Sequence, residues 1–388
     1  MKSKCMKPRI LLKTISPKGW FYIICMIVTG GIVVSCTKAL GEVPPTPECA
    51  TCNPVQFDHP YMQTLMMFLG EMLCIIFYAV SRLFAPKRSK YVSLDALQAQ
   101  TKTPMSFKHT FLFVGPVLCD LLGSTLSNMS VRHCAASVHS MLRNGVILFI
   151  ALLSFIFPEF RRDFDLPNVL GLFFIFLGLI MVGLVSVLHS SGNNSIFGVL
   201  LVTSSCVLHA AYFVLEEKLL KKVEIDGNVG VFNEGFWGSV QMSVLLPLLN
   251  TYPKKQPLEN IRGWVYQSKN SGAIIGLIIG FVVSTAVYNQ CGFQTTKLTS
   301  ASVRSTFTAL RPVIVWIISL SLGWEKFDKL GTPLTLFGFF ILTFGILTYN
   351  NVLIVFPHKK NHNRTKLEYE HIPIVENMVE MKPVLQDE

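Results

Sequence analysis

Charged side chains are scarce in this sequence. They make up 15% of its 388 residues, against about a quarter in an ordinary soluble domain, and the mean hydropathy is +0.48. This scarcity excludes an ordinary soluble globular domain. Long apolar runs take the place of the missing charge, because 51% of the residues are hydrophobic.

Motifs of the common enzyme and nucleotide-binding classes are also missing. The sequence contains no HExxH, no GxSxG and no Gly-rich phosphate loop. Its only CxxC pair, Cys49 and Cys52, has no further ligands nearby to complete the four that zinc needs. We therefore expect no enzymatic activity, no metal and no cofactor. Cys49 and Cys52 form either a disulfide outside the cytosol or two free thiols.

The apolar runs recur along almost the whole chain. A membrane-crossing helix needs roughly 17–25 mostly apolar residues, because in lipid only a helix satisfies its own backbone hydrogen bonds. The sequence therefore predicts an all-α membrane protein of ten transmembrane helices, with the lipid bilayer as its surroundings. The predicted helices lie near residues 19–40, 60–84, 111–130, 135–157, 168–189, 196–217, 232–250, 272–292, 299–323 and 333–356.

The formal net charge of +11 follows this topology and does not indicate a nucleic-acid partner. Most Lys and Arg residues fall in segments that ten crossings place on one side, and the basic stretch 1–18 contains no acidic residue. This is the positive-inside pattern, so both termini are predicted to be cytosolic. The loop 251–271 is the exception, because it carries several basic residues on the other side.

Two parts of the sequence resemble each other. Gly171–Gly178 matches Gly338–Gly345 at an offset of 167, and the preceding predicted helices carry Arg143 and Arg311 at an offset of 168. Apolar helices that contain glycine can look alike by chance. The alternative is an internal repeat, because several matches fall at nearly one offset.

A repeat would divide the chain into two halves of five helices, 19–189 and 190–356. An odd number of crossings inverts the second half, and inverted repeats are frequent in transporters, with the substrate near the midplane. Small residues let membrane helices approach closely. The predicted helix-packing glycines are Gly171, Gly178, Gly338 and Gly345.

Four ionisable residues stand out deep inside predicted helices, namely Glu71, Asp120, Arg143 and Arg311, while Lys38 and Arg304 lie nearer helix ends. Such residues cost at least ~2.5–3.5 kcal/mol on insertion scales, so they are usually paired or functional. Arg143 and Arg311 are predicted to approach one cavity from opposite halves and to bind an anionic or carboxylate-bearing solute. Glu71 and Asp120 are candidates for ion or proton coupling. The alternative is that all four form structural ion pairs, with Asp120 and Arg143 as the first pair.

Neighbouring polar side chains complete the predicted substrate site. His139 lies four residues before Arg143, on the same helical face. Gln63, Tyr288 and Asn289 could add hydrogen bonds and stacking.

These features resemble the drug/metabolite transporter superfamily, whose EamA-like members have paired five-helix halves. More specifically, residues from about 20 to 355 resemble solute carrier family 35, subfamily F, and within it the branch of the sixth member. Ser140 and Asn144 depart from the Gln and Gly that this branch usually has, which bears on the substrate more than on the fold. The matching strings are His59–Gln63, Met67–Glu71, Leu118–Asp120, Met141–Arg143, Val214–Lys218, Glu234–Gly235, Arg304 with Leu310–Arg311, and Leu322–Glu325.

The resemblance implies a secondary transporter, either an antiporter or a gradient-driven carrier, that works by alternating access. The inward arginines favour a small anionic or polar metabolite. A non-transporting scaffold or receptor with the same fold is the alternative. The oligomeric state is expected to be a monomer or a homodimer.

The segment 357–388 is hydrophilic and is predicted to be a disordered cytosolic tail. It contains Tyr369-Glu-His-Ile372, a string of the kind that sorting adaptors bind. This favours the membrane of the lysosome or vacuole over the Golgi, the plasma membrane or the mitochondrion.

Overall fold

The computed structural model describes residues 15–83, 103–104, 110–156, 165–188, 195–224, 227–251, 257–299, 301–325 and 327–350. The basic stretch before residue 15 lies outside these residues. So do the tail 357–388 and its predicted sorting string Tyr369–Ile372.

Helices make up nearly all of the described chain. In chain order the elements are α1 Pro17–Glu42, β1 Thr46–Pro47, β2 Pro54–Val55, α2 Pro60–Met72, α3 Cys74–Leu83, β3 Thr103–Pro104, a 3₁₀ helix Phe111–Phe113, α4 Val114–His133, α5 Ala136–Leu142, a 3₁₀ helix Arg143–Gly145, α6 Val146–Ile156, α7 Leu166–Leu188, α8 Ile196–Lys222, β4 Val223–Glu224, α9 Gly227–Thr251, α10 Ile261–Asn270, α11 Gly272–Leu298, α12 Ala301–Thr308, α13 Arg311–Ser321 and α14 Gly331–Tyr349. β1 pairs antiparallel with β2, and β3 pairs parallel with β4.

Side chains at three helix starts explain why these helices begin where they do. The Ser16 hydroxyl accepts from the amide of Gly19 at the start of α1, at 3.2 Å. The Asn260 side chain caps α10 in the same way, and the Ser271 hydroxyl caps α11. Each cap satisfies one of the amide groups that the first turn of a helix leaves without a partner.

Eight helical segments of the described residues are long and apolar enough to cross a membrane. They are Pro17–Glu42, Pro60–Val80, Phe111–His133, Ala136–Ile156, Leu166–Leu188, Ile196–Glu216, Gly272–Thr296 and Gly331–Tyr349. The predicted all-helical membrane protein is thereby confirmed. The predicted span 232–250 lies within α9, which is more polar, and the predicted span 299–323 contains α12 and α13, where the apolar helix Thr306–Ser321 is shorter. The count of ten crossings stays a prediction.

α7 and α14 pack against each other more extensively than any other pair of described elements. Glycines occupy the crossing. A Cβ added at Gly171 would lie 2.5 Å from the amide nitrogen of Tyr349, and one added at Gly178 would lie 2.6 Å from that of Leu342. Later residues of α7 contact earlier residues of α14, so the two helices run antiparallel.

The two glycines of α14 make matching contacts with α7. A Cβ at Gly345 would lie 2.6 Å from the amide nitrogen of Ile175, and one at Gly338 would lie 3.2 Å from that of Val182. The backbones of the two helices therefore touch at four glycines. No larger residue fits at this spacing without a shift of the backbone.

Two loops interlock at one end of the helices. Cys49 and Cys52 form a disulfide in the turn between β1 and β2, which settles the alternative of two free thiols. In the same loop, His59 Nδ1 lies 2.5 Å from Glu259 Oε1, and both side chains are almost fully buried. The other oxygen of Glu259 accepts from the amide of Tyr61 at 3.2 Å, at the start of α2.

Gln267 of α10 ties the same two loops together. Its oxygen is 3.0 Å from His59 Nε2, and its nitrogen donates to the carbonyl groups of Thr46 and Val55. The segments before α2 and after α9 are therefore held in direct contact at one end of the helices.

Candidate substrate site

Two membrane helices are interrupted at an arginine. α5 ends at Leu142 and a 3₁₀ turn that starts at Arg143 separates it from α6. α12 ends at Thr308, and α13 starts at Arg311 after a turn at residues 309–310. Interrupted membrane helices leave backbone groups unpaired, and in transporters such interruptions form substrate and ion sites.

The two interruptions face each other. The Asn144 side-chain amide donates to the carbonyl oxygen of Ala309 at 3.4 Å, so a residue of one break satisfies the backbone of the other. The Cys206 thiol of α8 lies 3.7 Å from the carbonyl oxygens of Leu142 and Arg143. Asn144, which departs from the usual residue of the family branch, thus has a structural partner here.

Arg143 is half-buried and has partners for both terminal nitrogens. One donates to the Ser127 hydroxyl at 2.8 Å, and the other donates to His209 Nε2 at 3.2 Å. His209 Nδ1 donates to the Ser205 carbonyl at 2.7 Å. Because Nε2 accepts from an arginine, these bonds assign the neutral Nδ1–H form to His209.

Asp120 lies beside the same nitrogen of His209. Its Oδ1 is 3.5 Å from His209 Nε2 and accepts from the Ser124 hydroxyl at 3.3 Å. Among the described residues, the predicted direct ion pair of Asp120 and Arg143 does not form. Their charges still interact at longer range.

His139 is 1% exposed, and serines occupy both of its ring nitrogens. Nδ1 is 2.7 Å from the Ser130 hydroxyl, and Nε2 is 3.4 Å from the Ser127 hydroxyl. His139 therefore touches the same serine that holds Arg143. This geometry suits a residue that positions Arg143 better than one that touches a solute.

Arg311 is 8% exposed, and its Nε has no hydrogen-bond partner among the described residues. Its aliphatic part packs with Tyr288 against Gly30 of α1, where a Cβ would lie 2.9 Å from each. Tyr288 also interacts with Thr308 beside the break. Burial of a guanidinium group is costly unless the group is paired, so Arg311 is suited to an anion that arrives from outside the protein.

The charges of Arg143, Arg304 and Arg311 all act on Tyr288. Arg143 and Arg311 also lie close enough for their charges to repel each other. We call these three arginines with Tyr288 the arginine cluster. It draws residues from both predicted halves, as the sequence analysis expected of Arg143 and Arg311.

A second group of charges has the opposite sign. The carboxyl groups of Glu71, Asp120, Glu216 and Glu234 interact electrostatically with one another. Tyr212 interacts with Glu234 as well. We call the four acids with Tyr212 the carboxylate cluster. Within the described residues, no group of three or more His, Cys, Asp or Glu side chains is arranged to hold a metal ion.

Two members of the carboxylate cluster were not among the residues predicted from sequence. Glu216 lies near the end of α8, where an acid usually faces solvent. Glu234 lies inside the predicted span 232–250, where an acid is rare, and its position alone could have identified it. Glu71, which was predicted, interacts with Asn289, while its Oε2 is buried without a hydrogen-bond partner in the described part of the chain.

Gln63 lies apart from the arginine cluster. It lines a small cavity with His59, Trp264 and Phe281, beneath the interlocked loops. Its side-chain nitrogen has no hydrogen-bond partner among the described residues.

Known proteins resemble this chain over most of its length. Solute carrier family 35 member F6 of Homo sapiens is 32% identical over 339 residues, which cover 84% of this chain and 87% of that protein. The Mus musculus protein of the same name is 31% identical over the same shares. An uncharacterized protein of Schizosaccharomyces pombe is 32% identical over 298 residues, 75% of this chain and 87% of its own length. No family model matches the chain.

Proposed function

Because the chain belongs to solute carrier family 35, in the branch of member F6, we propose that it moves a small anionic or polar solute across an intracellular membrane. Its family and its apolar helices make it a membrane transporter of the solute carrier type. We further propose a secondary mechanism, by exchange or by use of a gradient. The observation that carries the proposal is Arg311, a buried arginine at a helix break whose Nε is unpartnered among the described residues.

Ten crossings are part of this proposal, and contacts between loops support the seventh of them. His59 and Glu259 touch, so an even number of crossings separates them. Five of the apolar spans lie between these residues, and five would leave the two side chains on opposite sides of the membrane. α9 supplies the sixth crossing between these two residues, which is the seventh of the whole chain. Its 25 residues reach about 37 Å at 1.5 Å per residue.

A second contact supports a crossing by α12 and α13. The Glu325 carboxylate accepts from the amide and the hydroxyl of Ser137 at 3.1 and 2.6 Å, at the start of α5. Once α9 counts as a crossing, the number of crossings between Ser137 and Glu325 is even only if α12 and α13 cross as well.

Four glycine contacts between α7 and α14 support the inverted repeat. Adding 167 to the α7 residue of one contact and subtracting 167 from its α14 residue gives the two residues of another contact. Gly171 meets Tyr349 and Gly338 meets Val182, and in each pair of equivalent positions the numbers differ by 167. Gly178 with Leu342 and Gly345 with Ile175 behave in the same way. Two-fold related halves produce reciprocal contacts of this kind.

The larger helix contacts follow the same symmetry. α4 packs extensively on α8, and its equivalent, α11 on α1, is nearly as extensive. α2 packs on α9. Because α9 is the equivalent of α2 in the other half, the offset converts this contact into itself. In alternating access, two such halves rock about a central site, and both helix breaks lie there.

Within this site we propose that Arg143 and Arg311 bind the solute, and that Tyr288 and Asn289 contact it. His139 positions Arg143 through Ser127. Gln63 contacts the solute only on its way to or from the side of the interlocked loops. Glu71 and Asp120 serve ion or proton coupling.

We also propose that both termini are cytosolic. The disulfide then lies on the opposite face, where an oxidising lumen would maintain it. A lysosomal or vacuolar membrane, reached through sorting adaptors that bind Tyr369–Ile372, fits this orientation.

Single cysteines labelled in intact and permeabilised vesicles test the topology. We expect a cysteine at exposed Thr251, at the end of α9, to be accessible from the same side as one at exposed Glu42. A cysteine at exposed Lys329 should share that side. Labelling of position 251 from the opposite side would refute the crossing by α9.

Uptake into proteoliposomes tests the transport function. We expect at least one of a panel of anionic and zwitterionic metabolites to accumulate or exchange in vesicles that contain the purified chain, but not in empty vesicles. A folded, monodisperse protein that moves no solute in either mode, with or without a proton gradient, would refute transport and favour the scaffold alternative.

A further inference from the structure

The arginine cluster and the carboxylate cluster each contain a buried atom that has no partner. Arg311 Nε and Glu71 Oε2 lie on side chains that are 8% and 9% exposed, and neither atom has a hydrogen-bond partner among the described residues. The first is a donor that suits an anion, and the second is an acceptor that suits a cation. Each of the two clusters could therefore bind a ligand whose charge is opposite to its own.

The two clusters are adjacent. Tyr288, in the arginine cluster, and Asn289, which interacts with Glu71, are consecutive residues of α11. A second connection runs from Arg143 through His209 to Asp120, in steps of 3.2 and 3.5 Å. Both connections are short enough for one small molecule to reach both clusters.

The clusters do not neutralise each other by direct contact. Among the described residues, none of Arg143, Arg304 and Arg311 forms an ion pair with Glu71, Asp120 or Glu234. Like charges inside each cluster repel, and in a medium of low dielectric constant that repulsion is strong unless a counter-charge is present. A charged ligand would relieve the repulsion in both clusters.

We propose that the solute is a small zwitterion of the amino-acid type, whose carboxylate binds the arginine cluster and whose ammonium group binds the carboxylate cluster. The carboxylate matches the planar fork of Arg311. The ammonium group can donate to Glu71 and Glu234 at once. An ammonium group supplies the positive charge and the N–H donors that the carboxylate cluster can accept. This inference rests on the proposed transport function and specifies its substrate class.

A site of this kind discriminates by charge. An amine that lacks the carboxylate leaves Arg311 unpaired, and an acid that lacks the ammonium leaves Glu71 unpaired. A site built to bond a polar group rejects analogues without it, because its own buried groups then lose their partner. Neither fragment of the zwitterion should therefore bind as well as the whole.

Binding to the purified full-length chain tests this, with the standard amino acids as probes in a thermal-shift titration. For each amino acid that binds, the matching decarboxylated amine and deaminated acid are titrated as well, for example leucine with 3-methylbutylamine and 4-methylpentanoate. We expect at least one amino acid to bind, and both of its fragments to bind at least about tenfold more weakly.

Variants assign each charge to its cluster. In Arg311→Gln the preference for the amino acid over its amine should vanish, while the preference over its acid remains. In Glu71→Gln, or in Glu234→Gln if the first does not fold, the opposite should hold. Glu42→Gln is the matched control, because Glu42 is exposed at the end of α1 and its ion-pair partner among the described residues, Lys38, belongs to neither cluster.

Two results would overturn the inference. One is a panel in which no amino acid binds, and the other is a deaminated acid that binds as tightly as its amino acid. Both are distinct from failure of the proposed function, because a chain that transports anions without an ammonium group is still a transporter.

Discussion

Replacing Arg311 with glutamine is expected to reduce uptake by about 100-fold or more, while the protein remains folded. Arg311 is buried at the break between α12 and α13, and its Nε has no partner among the described residues. A charged group that bonds a ligand in such a place contributes about 2–5 kcal/mol to binding, which corresponds to roughly 30-fold to several thousand-fold in affinity. Initial uptake rates in proteoliposomes measure the loss.

The fold should survive this change because Arg311 has little to lose inside the protein. Its buried Nε has no hydrogen-bond partner among the described residues, and the attraction of its charge to Tyr288 is opposed by repulsion from Arg143. Glutamine is shorter, polar and uncharged, so it removes the repulsion and fills part of the space beside Gly30. Thermal unfolding in detergent should therefore occur at the same temperature as in the unchanged chain, or higher.

Two further variants separate charge from geometry. Arg311→Lys keeps the charge but loses the planar fork, so we expect partial uptake, with a raised KM. Arg262→Gln removes an exposed arginine of α10 and should leave uptake unchanged. An Arg311→Gln protein that is folded and transports at the normal rate would refute the role given to this residue.

Arg143 is expected to behave differently although it is the repeat-related arginine. It bonds Ser127 and His209, so its removal leaves two buried groups without a partner. Loss of uptake in a variant at Arg143 would therefore combine lost binding with lost stability. Arg311 is the cleaner probe of the solute site for this reason.

The family and the helical segments could be predicted from sequence. Long apolar runs determine where helices lie in a membrane protein, because lipid leaves the backbone no other way to bond. The arginines could be identified because a charge inside such a run is rare. The membership in solute carrier family 35 predicted from the short strings is confirmed by relatives at 31–32% identity.

Contacts between distant residues could not be predicted. His59 and Glu259 are 200 residues apart, and no periodicity or motif connects them. The position of His209 beside Asp120 and Arg143 depends on the packing of α8 against α4. No pattern in a single sequence predicts which residues of two packed helices come into contact. The interaction of Glu216 with Glu71, Asp120 and Glu234 could not be predicted either, because it depends on how α8 packs against the helices that carry these acids.

Replacing Gly178 with leucine is expected to prevent α7 from docking on α14. A Cβ at this position would lie 2.6 Å from a backbone nitrogen of α14, so no rotamer of a neighbouring side chain can relieve the conflict. Overpacking that side chains can absorb already costs about 1–3 kcal/mol, and a backbone shift costs more. Since native proteins are stable by only about 5–15 kcal/mol, we expect most of the variant to aggregate on extraction in detergent.

Gly276→Leu is the matched control, because a Cβ at Gly276 of α11 would meet nothing within 4 Å. Size-exclusion profiles of the extracted proteins compare the two. A Gly178→Leu protein that is as monodisperse as Gly276→Leu would contradict the close packing of α7 on α14.

Gly345→Leu extends this comparison to the repeat. Gly345 meets Ile175 as Gly178 meets Leu342, both at 2.6 Å, and the positions exchange under the offset of 167. If the two halves are equivalent about a two-fold axis, Gly178→Leu and Gly345→Leu remove the same contact from opposite sides and should lose folded protein to the same extent. A clear difference between them would mean that the halves resemble each other in sequence but do not share the packing at the axis.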